Sequence, residues 1–174
     1  SRMRPTMKQR SFEKLVNNLE AMIKQYRLLL DCVRKEKELL IKSDIEKLNA
    51  SNALKELILT DIKSLEPARI ICAKELAQIL GANSSEPRLL EMAKKIGGAE
   101  GDKLRAIHST LELLTKRVVE INKDNAIYAE SALGTVSSAM NNIKESLMGR
   151  KTYQKKGNYQ PGYDKSGHLV SKEA

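Results

Sequence analysis

Hydrophobic residues recur at steps of three and four along most of this chain. From Phe12 to Ile41 they fall at Phe12, Leu15, Val16, Leu19, Met22, Ile23, Tyr26, Leu29, Leu30, Val33 and Leu40, which is one face of a long amphipathic helix. Ser43-Asp44-Ile45-Glu46 then reads as a capping box, in which Ser43 accepts from the backbone N–H three residues on and Glu46 reaches back. A second stripe runs through Ile45, Leu48, Ala53 or Leu54, Leu57, Ile58, Ile62, Leu65, Ile70, Ile71, Leu76, Ile79 and Leu80, and Gly81 supplies its end. Pro67 inside it removes a backbone donor and predicts a kink or short break near Leu65. The connection at Lys42 to Asp44 is so brief that the two helices must lie antiparallel and adjacent, as an αα-hairpin.

Residues 81–102 are looser, with a short helix expected from Glu86-Pro87 to Ile96, then Gly97, Gly98 and Gly101, and Asp102 as the cap of the last helix. From Lys103 to Met148 the stripe resumes at Leu104, Ile107, Leu111, Leu114, Val118, Ile121, Ala129, Leu133, Val136, Met140, Ile143 and Leu147. About 46 residues of helix would be roughly 69 Å long. The expected fold is therefore all-α: an antiparallel helical hairpin plus a long C-terminal helix in an elongated bundle over residues 1–148, and a flexible basic tail over 149–174.

The last stripe changes character partway along. Its first half is rich in Leu, Val and Ile, whereas the second puts Asn122, Asn125 and Tyr128 near the seam, followed by Ala129, Ser131, Ala132, Gly134, Ser137, Ser138 and Ala139. Small residues let another backbone approach but bury little area themselves, so this segment is poorly equipped to hold a bundle together alone. It suits an amphipathic helix taken from another protein in the helix-in-groove manner, or a tightly packed Ala-rich contact within the chain. Asn122 and Asn125 fit a seam position, where they would favour one register, or a solvent position just outside it.

Composition narrows the chemistry. With 174 residues the chain can bury a core of its own, and with aromatics at 3%, no Trp and Phe12 as the single Phe, that core must be aliphatic. Cys32 and Cys72 lie in helical patterns with no Cys or His at ligand spacing, and both read as buried small hydrophobes. There is no basic-then-apolar leader, and no run approaches the roughly 18 apolar residues that cross a bilayer. A cytoplasmic protein without stable membrane insertion is expected.

The net charge of +9 suggests nucleic acid until it is divided. Residues 1–10 carry +4 and residues 149–174 carry +4, which leaves +1 for 11–148. A nucleic-acid-binding body concentrates cations on its folded face, and here they sit at the ends. No catalytic set is visible either: His108 and His168 are sixty residues apart without a local acid and nucleophile. Gly97-Gly98-Ala-Glu-Gly101 follows a helix and lacks the Lys-Ser/Thr ending of a phosphate loop. No enzyme activity, metal or cofactor is expected.

The tail carries Tyr-x-Lys-x-Gly twice, at Tyr153 to Gly157 and Tyr163 to Gly167, with almost no aliphatic residues. Such a strand can dock aromatic rings on a partner, remain solvated, or fold as a hairpin around Gln160-Pro161-Gly162.

Three stretches in order resemble one family. LLLDCVRKEKELLIKSDIEKLNASNALKELILTDIKSLEPAR (28–69) is similar to the first hairpin of FlgN-type flagellar export chaperones, with Glu36 before a Leu pair, Asp44 opening the second helix and Lys55 followed by Leu57. EINKDNAIYAESAL (120–133) resembles that family's Asn-x-x-Asn stretch, and KTYQKKG (151–157) its closing Tyr-x-x-x-Gly element. Pro67 and the second Tyr-x-Lys-x-Gly depart from the pattern. The resemblance implies a cytoplasmic chaperone for hook–filament junction proteins that holds their C-terminal helices unassembled and presents them to the export gate and ATPase components of the type III apparatus. It implies client binding by Asn122, Asn125, Tyr128, Ala129, Leu133, Val136, Met140 and Ile143, and gate docking near Tyr153 and Gly157, with no cofactor. From the stripes alone, a self-associating coiled-coil adaptor is the second reading, and a nucleic-acid binder using the basic ends the third.

Overall fold

The structure, a computed structural model, describes residues 3–148, with the backbone alone for 131–140, 142–146 and 148. Among the described residues the chain forms four helices: α1 (Met7–Lys42), α2 (Ile45–Leu80), α3 (Leu89–Ile96) and α4 (Gly98–Met148). The expected all-α hairpin and long final helix are both present.

Helix α1 starts five residues before the first periodic apolar position. Thr6 and Gln9 close a capping box, with Gln9 N donating to Thr6 Oγ1 at 3.1 Å and Thr6 N to Gln9 Oε1 at 2.8 Å. At the hairpin turn the expected capping box does not form, and the N-cap lies one residue later. Ser43 is needed to end α1 in a left-handed conformation (φ 55°), its N–H bonded to Leu39 and Leu40 carbonyls, so Asp44 becomes the N-cap of α2 and accepts from Lys47 N at 3.2 Å.

Helix α2 runs unbroken through Pro67 to a left-handed Gly81. The expected break near Leu65 does not occur. Pro67 and Lys63, whose carbonyl loses its donor, are both exposed, so water can satisfy that group, while Ile62, Arg69, Ala73 and Leu76 stay buried on the bundle side and keep the axis seated.

The glycine-rich stretch is the larger correction. Residues 98–102, expected as loop with a cap at Asp102, are the first turn of α4, and only Gly97 separates it from α3. Gly97 and Gly98 take the positive φ angles (65° and 59°) that reverse the chain. Gly101 is there for closeness: a Cβ on it would stand 2.5 Å from the Ala93 carbonyl oxygen of α3. Behind this crossing, α3 buries Leu89, Met92 and Ala93 fully against α4 and α2.

The core is aliphatic, as its composition requires, with Leu15, Leu19, Leu29, Val33, Ile62, Leu76, Leu89, Met92 and Leu104 all nearly inaccessible. Helix α1 packs along both α2 and α4, and so lies centrally.

Gly101→Ala should lose about 1–2 kcal/mol of stability in urea unfolding, although alanine is normally the better helix residue by about 1 kcal/mol. A gain would show that α3 and α4 can separate at no cost.

Candidate functional site

Helix α4 runs parallel to α1. Lys103 Nζ lies 2.8 Å from Glu20, Asn125 Nδ2 donates to the Val33 carbonyl at 2.9 Å, and Lys37 lies 3.8 Å from Asp124. Since Lys37 faces Asp124, the end of α1 at Lys42 is level with about residue 129. The hairpin arms are 36 residues each and α4 is 51. Roughly 19 residues of α4, about 28 Å, therefore run past the hairpin turn.

Along the covered part, the α4 stripe of Leu104, Ile107, Leu114, Val118 and Ile121 is buried. The same spacing continues through Leu133, Val136, Met140 and Ile143 to Leu147, which is 80% exposed. At the level where cover ends, Tyr128 is exposed, Ala129 is half-buried and Ile127 is 65% exposed on the outer face.

The two asparagines lie inside the bundle, which removes the solvent alternative. Asn125 is fully buried and Asn122 nearly so. Asn122 Oδ1 accepts from Lys55 Nζ at 2.9 Å, and Lys55 Nζ also donates to Glu36 Oε2 at 3.1 Å, joining α1, α2 and α4 in one polar layer. The ion pair is almost wholly out of water, with side chains 1% (Glu36) and 5% (Lys55) exposed. Desolvating two charges costs several kcal/mol each, which their attraction and added hydrogen bonds offset only in part. Glu36 Oε1 and Asn125 Oδ1 have no hydrogen-bond partner. Beside the layer is a small crevice lined by Leu29, Val33, Leu59 and Val118.

Of the residues expected to meet a client, Asn122 and Asn125 thus face the chain's own hairpin, and they reach a partner helix only if the bundle opens. Tyr128 and Ala129 sit at the edge of cover. The side chains of Leu133, Val136, Met140 and Ile143 lie outside the described residues, although their backbone is helical, and Tyr153, Gly157, Tyr163 and Gly167 lie outside them altogether. Sequence reasoning did not place Glu36 and Lys55 in the interior. The available signal was Lys55 seven residues before Ile62, in phase with Arg69 and Leu76, on the face that is buried.

Other chemistry is sparse. Burial pushes the thiols of Cys32 and Cys72 above their ordinary range, with Ser51 and Lys55 opposing the shift at Cys32, so both are poor nucleophiles at neutral pH. Cys32 is buried as expected, while Cys72 is half-buried. His108 Nδ1 lies 3.7 Å from the Glu112 carboxylate on the same helix. Among the described residues no cluster of His, Cys, Asp or Glu could hold a metal ion, and no helix is long and apolar enough to cross a membrane.

A family model described as FlgN protein matches residues 3–161. No curated protein and no solved structure matches the chain. The matched span includes Tyr153 and Gly157 and ends before Tyr163.

Lys55→Ala should cost about 3–5 kcal/mol in urea unfolding, because Glu36 is left charged in the interior, whereas Glu36→Leu with Lys55→Leu should stay within about 1 kcal/mol of the native chain or exceed it. Equal losses would show that the pair is a net source of stability.

Proposed function

The chain belongs to the FlgN family of flagellar export chaperones, and from that premise we propose that it holds the C-terminal helices of hook–filament junction proteins on the part of α4 that runs past the hairpin. The observation that carries this reading is that the spacing of a buried stripe continues in helical backbone past the hairpin to an exposed Leu147. Where α1 covers α4, apolar residues at steps of three and four are sequestered; beyond Lys42 the spacing persists to Leu147, which is open to water. A client helix laid there would extend the α1–α4 interface in the chemistry already used by α1. Such a client helix is apolar on one face because it packs inside a filament, and covering that face prevents premature association.

Leu133, Val136, Met140 and Ile143 are assigned to the client seam, with Tyr128 and Ala129 at its inner end. Asn122 and Asn125 act behind it by holding α4. The chaperone works in the cytoplasm without a cofactor and passes its client to the gate or ATPase components of the export apparatus through the Tyr153 to Gly157 element. That Tyr153 falls inside the family match and Tyr163 outside it favours the first of the two tyrosine elements.

Calorimetric titration with synthetic C-terminal helices of the two junction proteins, and flagellin's terminal helix as control, should show saturable one-to-one binding of the junction peptides alone. Val136→Asp should weaken that binding at least about tenfold with helicity unchanged, since a charge would be laid in an apolar seam. Absence of binding by the native chain, together with a stable oligomer in light scattering, would assign the stripe past the hairpin to a second copy. Tyr153→Ala should leave peptide affinity unaltered and reduce secretion of the junction proteins; a matching loss of affinity would place Tyr153 in the client site instead.

A further inference from the structure

The buried positions of α1 facing the bundle, Leu15, Leu19, Met22, Tyr26, Leu29, Val33 and Glu36, alternate steps of four and three. Those of α4, Leu104, Ile107, the half-buried Leu111, Leu114, Val118, Ile121 and Asn125, alternate three and four. Both are strict seven-residue repeats, and two parallel helices with such repeats have equivalent apolar pairings one heptad apart. Moving α4 by seven residues, about 10 Å, would set Leu111 where Leu104 sits and Ile121 where Leu114 sits, so the α1–α4 pairing itself changes little, although α3, joined to α4 through Gly97 alone, would have to move with it. The apolar pairing of α1 with α4 does not by itself say where along α1 the long helix stops; apart from the α3 crossing at its start, that choice falls to polar contacts.

One layer is not repeated. Lys55 Nζ bridges Glu36 of α1 and Asn122 of α4 within 3.1 Å of each. A shift by one heptad takes Asn122 away from Lys55, lays its amide against apolar layers of the hairpin, and brings Thr115 or Ala129 to the buried ion pair instead. Asn125, by contrast, donates to a backbone carbonyl, a group present at every turn, and so contributes less to the choice.

We propose that the Glu36–Lys55–Asn122 layer is a register pin: it selects one of several near-equivalent positions of α4 along the hairpin and thereby sets how much of α4 extends past the turn. The pin does not depend on the client reading. If α4 receives a partner beyond Lys42, however, the pin sets the length of stripe offered, and a one-heptad slip would change that length by about 10 Å.

Disulfide trapping in the full chain tests it. In a background of Cys32→Ala and Cys72→Ala, Lys37→Cys is combined with Asp124→Cys, its observed neighbour, or with Arg117→Cys or Ser131→Cys, one heptad to either side. With the polar layer intact, the 37/124 pair should oxidise at least about tenfold faster than the other two, as a single register requires. With Glu36→Leu, Lys55→Leu and Asn122→Leu together, the chain should remain helical and one or both displaced pairs should oxidise at a rate comparable to 37/124. Exclusive 37/124 trapping in that folded variant would overturn the proposal. Asn122→Ala alone, which keeps the ion pair, gives the same test should the triple variant not fold: displaced trapping should rise severalfold over the native layer, and no rise would overturn the proposal.

Discussion

A 51-residue helix lying parallel to one arm of a 36-residue hairpin cannot be covered by that hairpin along its whole length. That mismatch governs the rest of the molecule. The covered part of α4, with Leu104, Ile107, Leu114, Val118 and Ile121 in the core, holds the bundle together. The part beyond Lys42 carries a composition poorly suited to that task, since Ala132, Gly134, Ser137, Ser138 and Ala139 have little apolar area to offer. One helix thus joins a stretch buried against the hairpin to one that carries the same apolar spacing beyond it.

Such an arrangement requires that α4 not slide, and it is held at two levels. At its start, Gly101 meets the Ala93 carbonyl too closely for any side chain, while α3 buries Leu89 and Met92 behind the crossing. Some twenty residues on, Asn122 meets the Lys55–Glu36 pair. The first hold fixes α4 against α3, which is itself seated on α2; the second fixes it against the hairpin directly. Two unlike contacts on a uniform apolar stripe give a single arrangement where packing alone would leave several.

Where periodicity had one reading, it was enough. The α1 stripe, the short turn at Lys42 to Asp44 and the long final stripe gave the helices and their order, because steps of three and four over thirty or more residues admit no strand. Helix α2 was harder. It is apolar on more than one side: Leu54, Leu57, Ile70 and Ile71 are exposed, whereas Lys55 and Arg69 are buried. A stripe traced through its apolar residues therefore points partly away from the core, and only the partner helices decide which side is inward. The glycines misled for a related reason, since an absent side chain serves a loop and a close crossing equally well, and Gly101 is the second. Of the candidate seam, the stripe itself was legible. That Asn122 and Asn125 face the chain's own hairpin was not, because the Lys55 ammonium that Asn122 accepts from comes from sixty-seven residues away in the sequence.

The position of the polar layer along α4 also has a consequence for association. An apolar stripe unbroken from Leu104 to Leu147 would pair along its full length with any amphipathic helix, including the same stripe of another molecule. The layer instead interrupts it near the last level that the hairpin covers. An incoming helix that displaced α1 from α4 would have to leave Lys55 and Glu36 without Asn122 and offer nothing in its place, a cost of several kcal/mol for buried charged groups. Beyond the layer the described residues offer no second buried ion pair to impose such a penalty. The interruption therefore marks off, within one continuous pattern, the part that belongs to the fold, and it does so by making a competing pairing there expensive.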